Sequence, residues 1–212
     1  MEQITLTINL YSFEELSDEA KQHAIEEYHD INTDHDWWDC SFEQFAEVAE
    51  LFGLDIRQTR KNLINGDFRY DPTIYFSGFA SQGDGACFEG RYSYKEGALK
   101  NIKKEWPQDK ELHQIVASLQ ELQRRNFYQV HCRTKQSGHY MHSGCMQVDV
   151  EHAEDSYRQV AGEDDFIQCM RNFADWIYSK LEKEHDYLTS DEQIKESLIA
   201  NEYKFTENGE IY

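Results

Sequence analysis

Only two prolines, Pro72 and Pro107, occur in 212 residues. With so few, and with no Ser/Gly-rich or repetitive stretch, nothing in the chain reads as a flexible linker. A single compact domain over 1–212 is the expectation, with a small helix-hairpin extension at 187–212. Long apolar runs are missing too. No window approaches the ~20 apolar residues that a membrane span needs, and Met1 to Ile4 lacks the basic region and apolar run of an export signal. No membrane partner is therefore expected. The five cysteines, Cys40, Cys87, Cys132, Cys145 and Cys169, are scattered without CxxC spacing, as in a protein whose thiols stay reduced, so the expected location is cytoplasmic. The sequence has no GxGxxG or Walker loop, no complete catalytic triad and no metal cage, so no cofactor is called for.

Positive charge is the other scarcity: 21 Lys and Arg stand against 41 Asp and Glu, a net charge of −20 at pH 7. The imbalance is uneven. Ser12 to Asp55 holds 14 acidic residues and one Lys, Ile56 to Cys145 holds nine acidic and 14 basic, and Met146 to Tyr212 holds 17 acidic and six basic. Such blocks solvate a surface, and when displayed together they also give a negative field that steers a basic partner. The same field argues against direct nucleic-acid binding.

What is present is strongly patterned. Gln3 to Leu10 alternates Ile4, Leu6, Ile8 and Leu10 with polar residues, the period of a strand. Ser12 and Glu15 fit a capping box, and Leu16, Ala20, Ala24, Tyr28 and Ile31 predict a helix to Ile31. Phe42, Phe45, Ala49 and Phe52 predict a second helix ending at Gly53. Strands are expected over Leu54 to Arg60 and Phe68 to Tyr70 around an Asn65-Gly66 turn, then over Ile74 to Ala80 and Ala86 to Tyr94. Helices follow over Lys95 to Glu105 and Asp109 to Asn126, a hairpin over Phe127 to Thr134 and Tyr140 to Val150, and a helix over Asp164 to Glu184. Ser190 opens a last short helix, and Asn208-Gly209 turns a terminal hairpin. Helices and strands arrive in groups, which predicts an α+β fold: an antiparallel sheet of about five to seven strands with helices packed against it.

Thr73 to Tyr94 is the most distinctive segment. Its aromatics Tyr75, Phe76, Phe79, Phe88, Tyr92 and Tyr94 flank the turn Gln82-Gly83-Asp84-Gly85. Taken with Leu10 to Lys21, Asp34 to Asp39, Ile74 to Phe88, Tyr187 to Glu192 and Asn201 to Thr206, it resembles a family of bacteriophage and prophage proteins labelled "antitoxin of toxin-antitoxin stability system". The resemblance implies a phage-encoded accessory factor acting on host machinery inside the bacterial cell. It carries no catalytic residue over to this chain.

Three site chemistries are legible in the residues. Cys87, with Gln82 as oxyanion donor and His131, His139 or His142 as base, is a candidate nucleophile; the string around it resembles the papain-type nucleophile neighbourhood with its spacing one residue short. His139, His142 and Cys145 are candidate zinc ligands, provided that Ser143-Gly144 bends the strand enough to converge them. Tyr75, Gln82, Asp84, Cys87, Arg91 and Tyr92 could line a nucleotide site in which rings stack on a base and a cation meets phosphate. Against each stands the plainer reading of aromatics and a small cysteine filling sheet faces.

A surface interaction demands less of the sequence. Glu14, Glu15, Glu26, Glu27, Asp30, Asp34, Asp36, Glu43, Glu47 and Glu50 lie largely off the apolar stripes. The leading expectation is a non-enzymatic protein whose acidic face imitates nucleic acid and neutralises a host toxin or a nucleic-acid-binding defence protein. A nucleotide-signal sponge and a cysteine-dependent enzyme are the alternatives.

Overall fold

The computed structural model describes residues 7–64, 66–154 and 158–212. Among them are six α-helices and eight strands: α1 (Asp18–Glu27), α2 (Asp39–Phe52), β1 (Leu54–Ile56), β2 (Gln58–Asn62), β3 (Phe68–Pro72), β4 (Ile74–Phe76), β5 (Ala86–Phe88), β6 (Gly90–Ser93), α3 (Ala98–Glu105), α4 (Lys110–Arg125), β7 (Val130–Gln136), β8 (Met146–His152), α5 (Glu163–Leu188) and α6 (Asp191–Ala200). All strand pairing is antiparallel. The fold is α+β, with its strands divided among a four-stranded sheet, β1-β6-β7-β8, and two ribbons, β2-β3 and β4-β5. Among the described residues no helix is long and apolar enough to cross a membrane.

The chain forms two compact units, Trp38–Glu182 and a terminal unit of Met1–Trp37 with Lys183–Tyr212. Helix α5 runs through the boundary.

In the larger unit, strand alternation turns Leu54, Tyr92 and Cys132 to one buried face, while their neighbours Asp55, Arg91 and Arg133 form a cross-strand row on the other. Helix α5 packs its aromatic side chains against α2 and β5. Its Phe173 ring meets Phe52 at 5.1 Å and Phe88 at 5.5 Å and stacks on Trp176 at 5.4 Å. Trp176 also meets Phe45 of α2 at 5.5 Å. The indole N–H of Trp176 donates to Asp109 at 2.9 Å, and Lys180 pairs with the same carboxylate at 2.6 Å. Asp109 also caps α4 by accepting from the Leu112 N–H at 3.0 Å. Burial alone would raise the Asp109 pKa, but the bonds from Lys180, Leu112 and Trp176 outweigh it and hold the carboxyl below its ordinary value.

The single strand expected over Leu54 to Arg60 is broken at Arg57, for a definite reason. Arg57 N–H donates to Glu89 at 2.8 Å, Thr73 N–H to Arg57 at 2.7 Å and Glu89 N–H to Thr73 at 3.0 Å. This closed ring of backbone bonds joins the three antiparallel sheets, so each pair leaves the junction in its own direction. Asn65 of the expected turn lies outside the described residues.

The terminal unit is small. Phe13, Leu16, Ala20 and Ala24 pack with Ile194, Leu198 and Phe205 in one buried cluster. The Ser12 and Glu15 capping box forms, with Ser12 N–H to Glu15 at 2.8 Å, but it closes only a 3-10 turn, Phe13–Glu15. The helix expected from Ser12 starts later because Ser17 takes the cap of α1, accepting from the Ala20 N–H at 3.2 Å. Of the expected strand Gln3 to Leu10, residues 3–6 lie outside the described residues, and 7–10 carry no regular structure. Tyr11 instead bridges Phe205, each N–H donating to the other's carbonyl at 2.9 Å. Gly209 has φ +90°, and a Cβ there would overlap the Ala20 carbonyl oxygen, so the terminal turn needs glycine twice over.

Candidate functional site

The two loops singled out in the sequence meet in the larger unit. Asp84 folds the first loop onto itself, accepting from the N–H groups of Ser81 at 2.6 Å and Ala80 at 3.0 Å. The Ser81 bond is the chief reason that its carboxyl sits below the ordinary range. Asp84 is thus spent on loop geometry. The second loop packs across it: a Cβ on Gly83 would come within 3.1 Å of the Tyr140 ring, and one on Gly85 would collide with the Cα and Cβ of His142. Tyr140 and His142 stack at 6.2 Å. The glycines that marked a ligand loop are therefore occupied by the protein itself.

Strand order then separates the six ligand candidates. Cys87 is fully buried on β5, and Tyr92 is 2% exposed on β6. Arg91 points to the outer sheet face, in the row that includes Arg133 and Asp149. Tyr75 is half-buried, and Gln82 is exposed at the loop surface. The nucleotide site as drawn from sequence does not assemble, because alternation along β6 sends Arg91 and Tyr92 to opposite faces.

Burial also governs the thiol chemistry. The Cys87 thiol is pushed up to about 12, chiefly by desolvation and then by nearby Cys145; Cys132 and Cys169 rise to about 12 and about 11 for the same primary reason. A thiol so placed is not a nucleophile at neutral pH. His142 does reach Cys145, with Nε2 at 3.4 Å from Sγ. Its Nδ1, however, accepts the Gly144 N–H at 3.1 Å. A neutral imidazole in that arrangement carries its proton on Nε2 and has no lone pair free to deprotonate the thiol.

The bend anticipated at Ser143-Gly144 exists as a 3-10 turn, Ser143–Cys145. It brings His142 to Cys145 but leaves His139 exposed beside the Tyr140 ring. Among the described residues no group of three His, Cys, Asp or Glu side chains is placed to hold a metal.

A family described as "Domain of unknown function (DUF8835)" matches residues 37–191, well over half of the chain. The chain belongs to that family. No curated protein and no solved structure matches it. The DUF8835 span takes in all of the larger unit and both site loops, and it leaves most of the terminal unit outside.

The acidic candidates divide along the same line. Glu14, Glu15, Glu26, Glu27, Asp30, Asp34 and Asp36 belong to the terminal unit and precede the DUF8835 span, whereas Glu43, Glu47 and Glu50 form one stripe of α2 inside it. All ten are exposed. Among the described residues no Lys or Arg lies within ion-pair distance of Glu14, Glu26, Glu27 or Asp30; the Glu26 carboxylate accepts from the Gln22 side-chain amide at 2.9 Å.

Sequence reading missed one feature of the larger unit. The β2-β3 ribbon leaves Phe68 and Tyr70 exposed beside Arg60, a pattern that period-two alternation of Arg60, Asn62, Phe68 and Tyr70 could have revealed.

Proposed function

We propose that the chain is a non-enzymatic binding protein whose terminal unit captures a basic protein partner. The supporting observation is charge density: the 67 residues of this unit hold 18 acidic and four basic side chains, a balance of −14, out of −20 for the whole chain. Holding that many carboxylates on a small core costs self-repulsion, which a cationic partner relieves. Exposed pairs of this kind contribute more to encounter rate and specificity than to affinity, and they are screened over about 8 Å at physiological ionic strength. The resemblance to phage proteins labelled as antitoxins supplies the setting: neutralisation of a host toxin or defence protein, inside the bacterial cell, by an acidic imitation of nucleic acid.

The test is affinity capture from bacterial lysate at low salt, with wild type and with the triple reversal Glu26→Lys, Glu27→Lys, Asp30→Lys run side by side. A basic protein retained by wild type, released as salt rises and lost from the triple variant, is the expected result. Recovery of no partner, or of one held equally by both proteins, overturns the reading.

A further inference from the structure

The β2-β3 ribbon of the larger unit has one face turned to protein and one to solvent. Register places Lys61, Arg69 and Asp71 together on the first face, where Arg69 bonds Asp39 of α2 at 2.6 Å and Asp71 at 2.7 Å. The second face carries Arg60 opposite Tyr70 and Asn62 opposite Phe68, with Gln58 at its base. Phe68 is 45% and Tyr70 60% exposed, their rings in edge contact at 5.7 Å. A two-stranded ribbon is marginal by itself, and rings this exposed contribute little burial to it, so packing alone does not account for these aromatics.

The cations carry the second observation. Arg57 pairs with Glu89, Lys61 with Asp71, and Arg69 with Asp39 and Asp71. Arg60 alone of these four has no carboxylate within ion-pair distance among the described residues, in a chain with 41 of them; its guanidinium lies 4.2 Å over the Phe68 ring. Residues 57–72 hold four basic and two acidic side chains, a local balance of +2 within a molecule of −20. An arginine kept free and stacked presents its outer N–H groups to an anion, in the fork geometry that suits phosphate.

We infer that this face, Gln58, Arg60, Asn62, Phe68 and Tyr70, binds a single-stranded polynucleotide. Bases stack on Phe68 and Tyr70, Arg60 meets the phosphate between them, and the Asn62 and Gln58 amides reach base edges. The two cross-strand rows are about 7 Å apart by strand geometry. That spacing is wide for bases stacked at about 3.4 Å in a duplex and open to bases splayed from a single strand. A peptide adding to the ribbon would use the strand edges and leave these rings idle. The inference reverses the expectation, drawn from net charge, that the chain makes no direct nucleic-acid contact. It does not depend on the acidic terminal unit.

Fluorescence anisotropy of the full chain with labelled 12-mers of dT and of U, and with a 12-bp duplex, at physiological salt tests it. Both single strands are expected to bind saturably and the duplex much more weakly. Tyr70→Ala and Phe68→Ala should each weaken binding about 5- to 150-fold, while Tyr70→Trp, which keeps a stacking surface, should restore it. Arg60→Gln should weaken binding and flatten the salt slope by about 0.7. All three positions are solvent-exposed, so the four variants should melt like wild type. The inference is overturned by absence of saturable binding, by equal binding of duplex, or by affinity unchanged in the alanine variants. It is equally overturned if the face proves to join two copies of the chain, seen as a dimer in sedimentation that Tyr70→Ala dissolves.

Discussion

The terminal unit and the larger unit are held together by different means. The larger unit buries a continuous aromatic core, Phe45, Phe52, Phe88, Phe173 and Trp176, between helices and sheet. It carries a charge balance of only −6 over 145 residues. The terminal unit relies on a cluster of seven buried residues drawn from both ends of the sequence, under a balance of −14. Small cores leave little margin for repulsion. Among the described residues Glu14, Glu26, Glu27 and Asp30 of this unit have no Lys or Arg within ion-pair distance, which fits the partner binding we propose. The DUF8835 span follows nearly the same division, since it covers the larger unit and leaves out the first 36 and the last 21 residues.

The largest effects should come from the cores. Trp176→Ala and Phe205→Ala each remove a fully buried ring and should each cost about 3–5 kcal/mol, measured by urea denaturation. The comparison turns on which signal moves: Phe205→Ala should melt the terminal unit while the near-ultraviolet signal of the tryptophan-rich larger unit persists. Simultaneous loss of both would break the division.

Next in size is the buried carboxylate. Lys180→Met leaves Asp109, whose side chain is 8% exposed, with only the Trp176 and Leu112 donors, and should cost about 2 kcal/mol. Because the folded pKa of Asp109 is lowered, its contribution is complete above the unfolded value near 4 and is lost as pH falls through the folded value. Wild type should therefore lose stability below about pH 4 more steeply than Lys180→Met, read as the midpoint of urea unfolding against pH.

Helix capping ranks third. Ser17→Ala and Ser190→Ala should each cost about 1 kcal/mol, since each hydroxyl accepts a first-turn N–H of α1 or α6. Both act on the terminal unit, so the pair should lower its melting point and leave the larger unit untouched. The smallest change in stability, a gain of about 0.5 kcal/mol, is expected from the exposed triple reversal Glu26→Lys, Glu27→Lys, Asp30→Lys, which relieves part of the repulsion in this unit. A large gain in stability would mean that repulsion in this unit is stronger than its exposure implies.

Much of this architecture was legible in the sequence, and the failures share a cause. The helices over α2, α4 and α5, the β7-β8 hairpin and the Ser190 cap follow from local period and chemistry. Three features do not. Ser17 outcompetes Ser12 for the helix start, the strand at Arg57 breaks to close a ring with Thr73 and Glu89, and Tyr11 finds Phe205 nearly 200 residues away. Each is decided by a partner distant in sequence or by competition between neighbouring caps. The site was misjudged for the same reason: Gly83 and Gly85 looked open to a ligand until Tyr140 and His142 were placed against them.

On the function we propose, the terminal unit's carboxylates, and not those of α2, select a basic partner. Capture should be compared between the Glu26, Glu27, Asp30 triple reversal and a matched reversal of Glu43, Glu47 and Glu50, which changes net charge equally within the DUF8835 span. Loss of the partner only in the first is the predicted result. Equal loss in both would reduce the effect to overall charge, and retention in both would contradict the account.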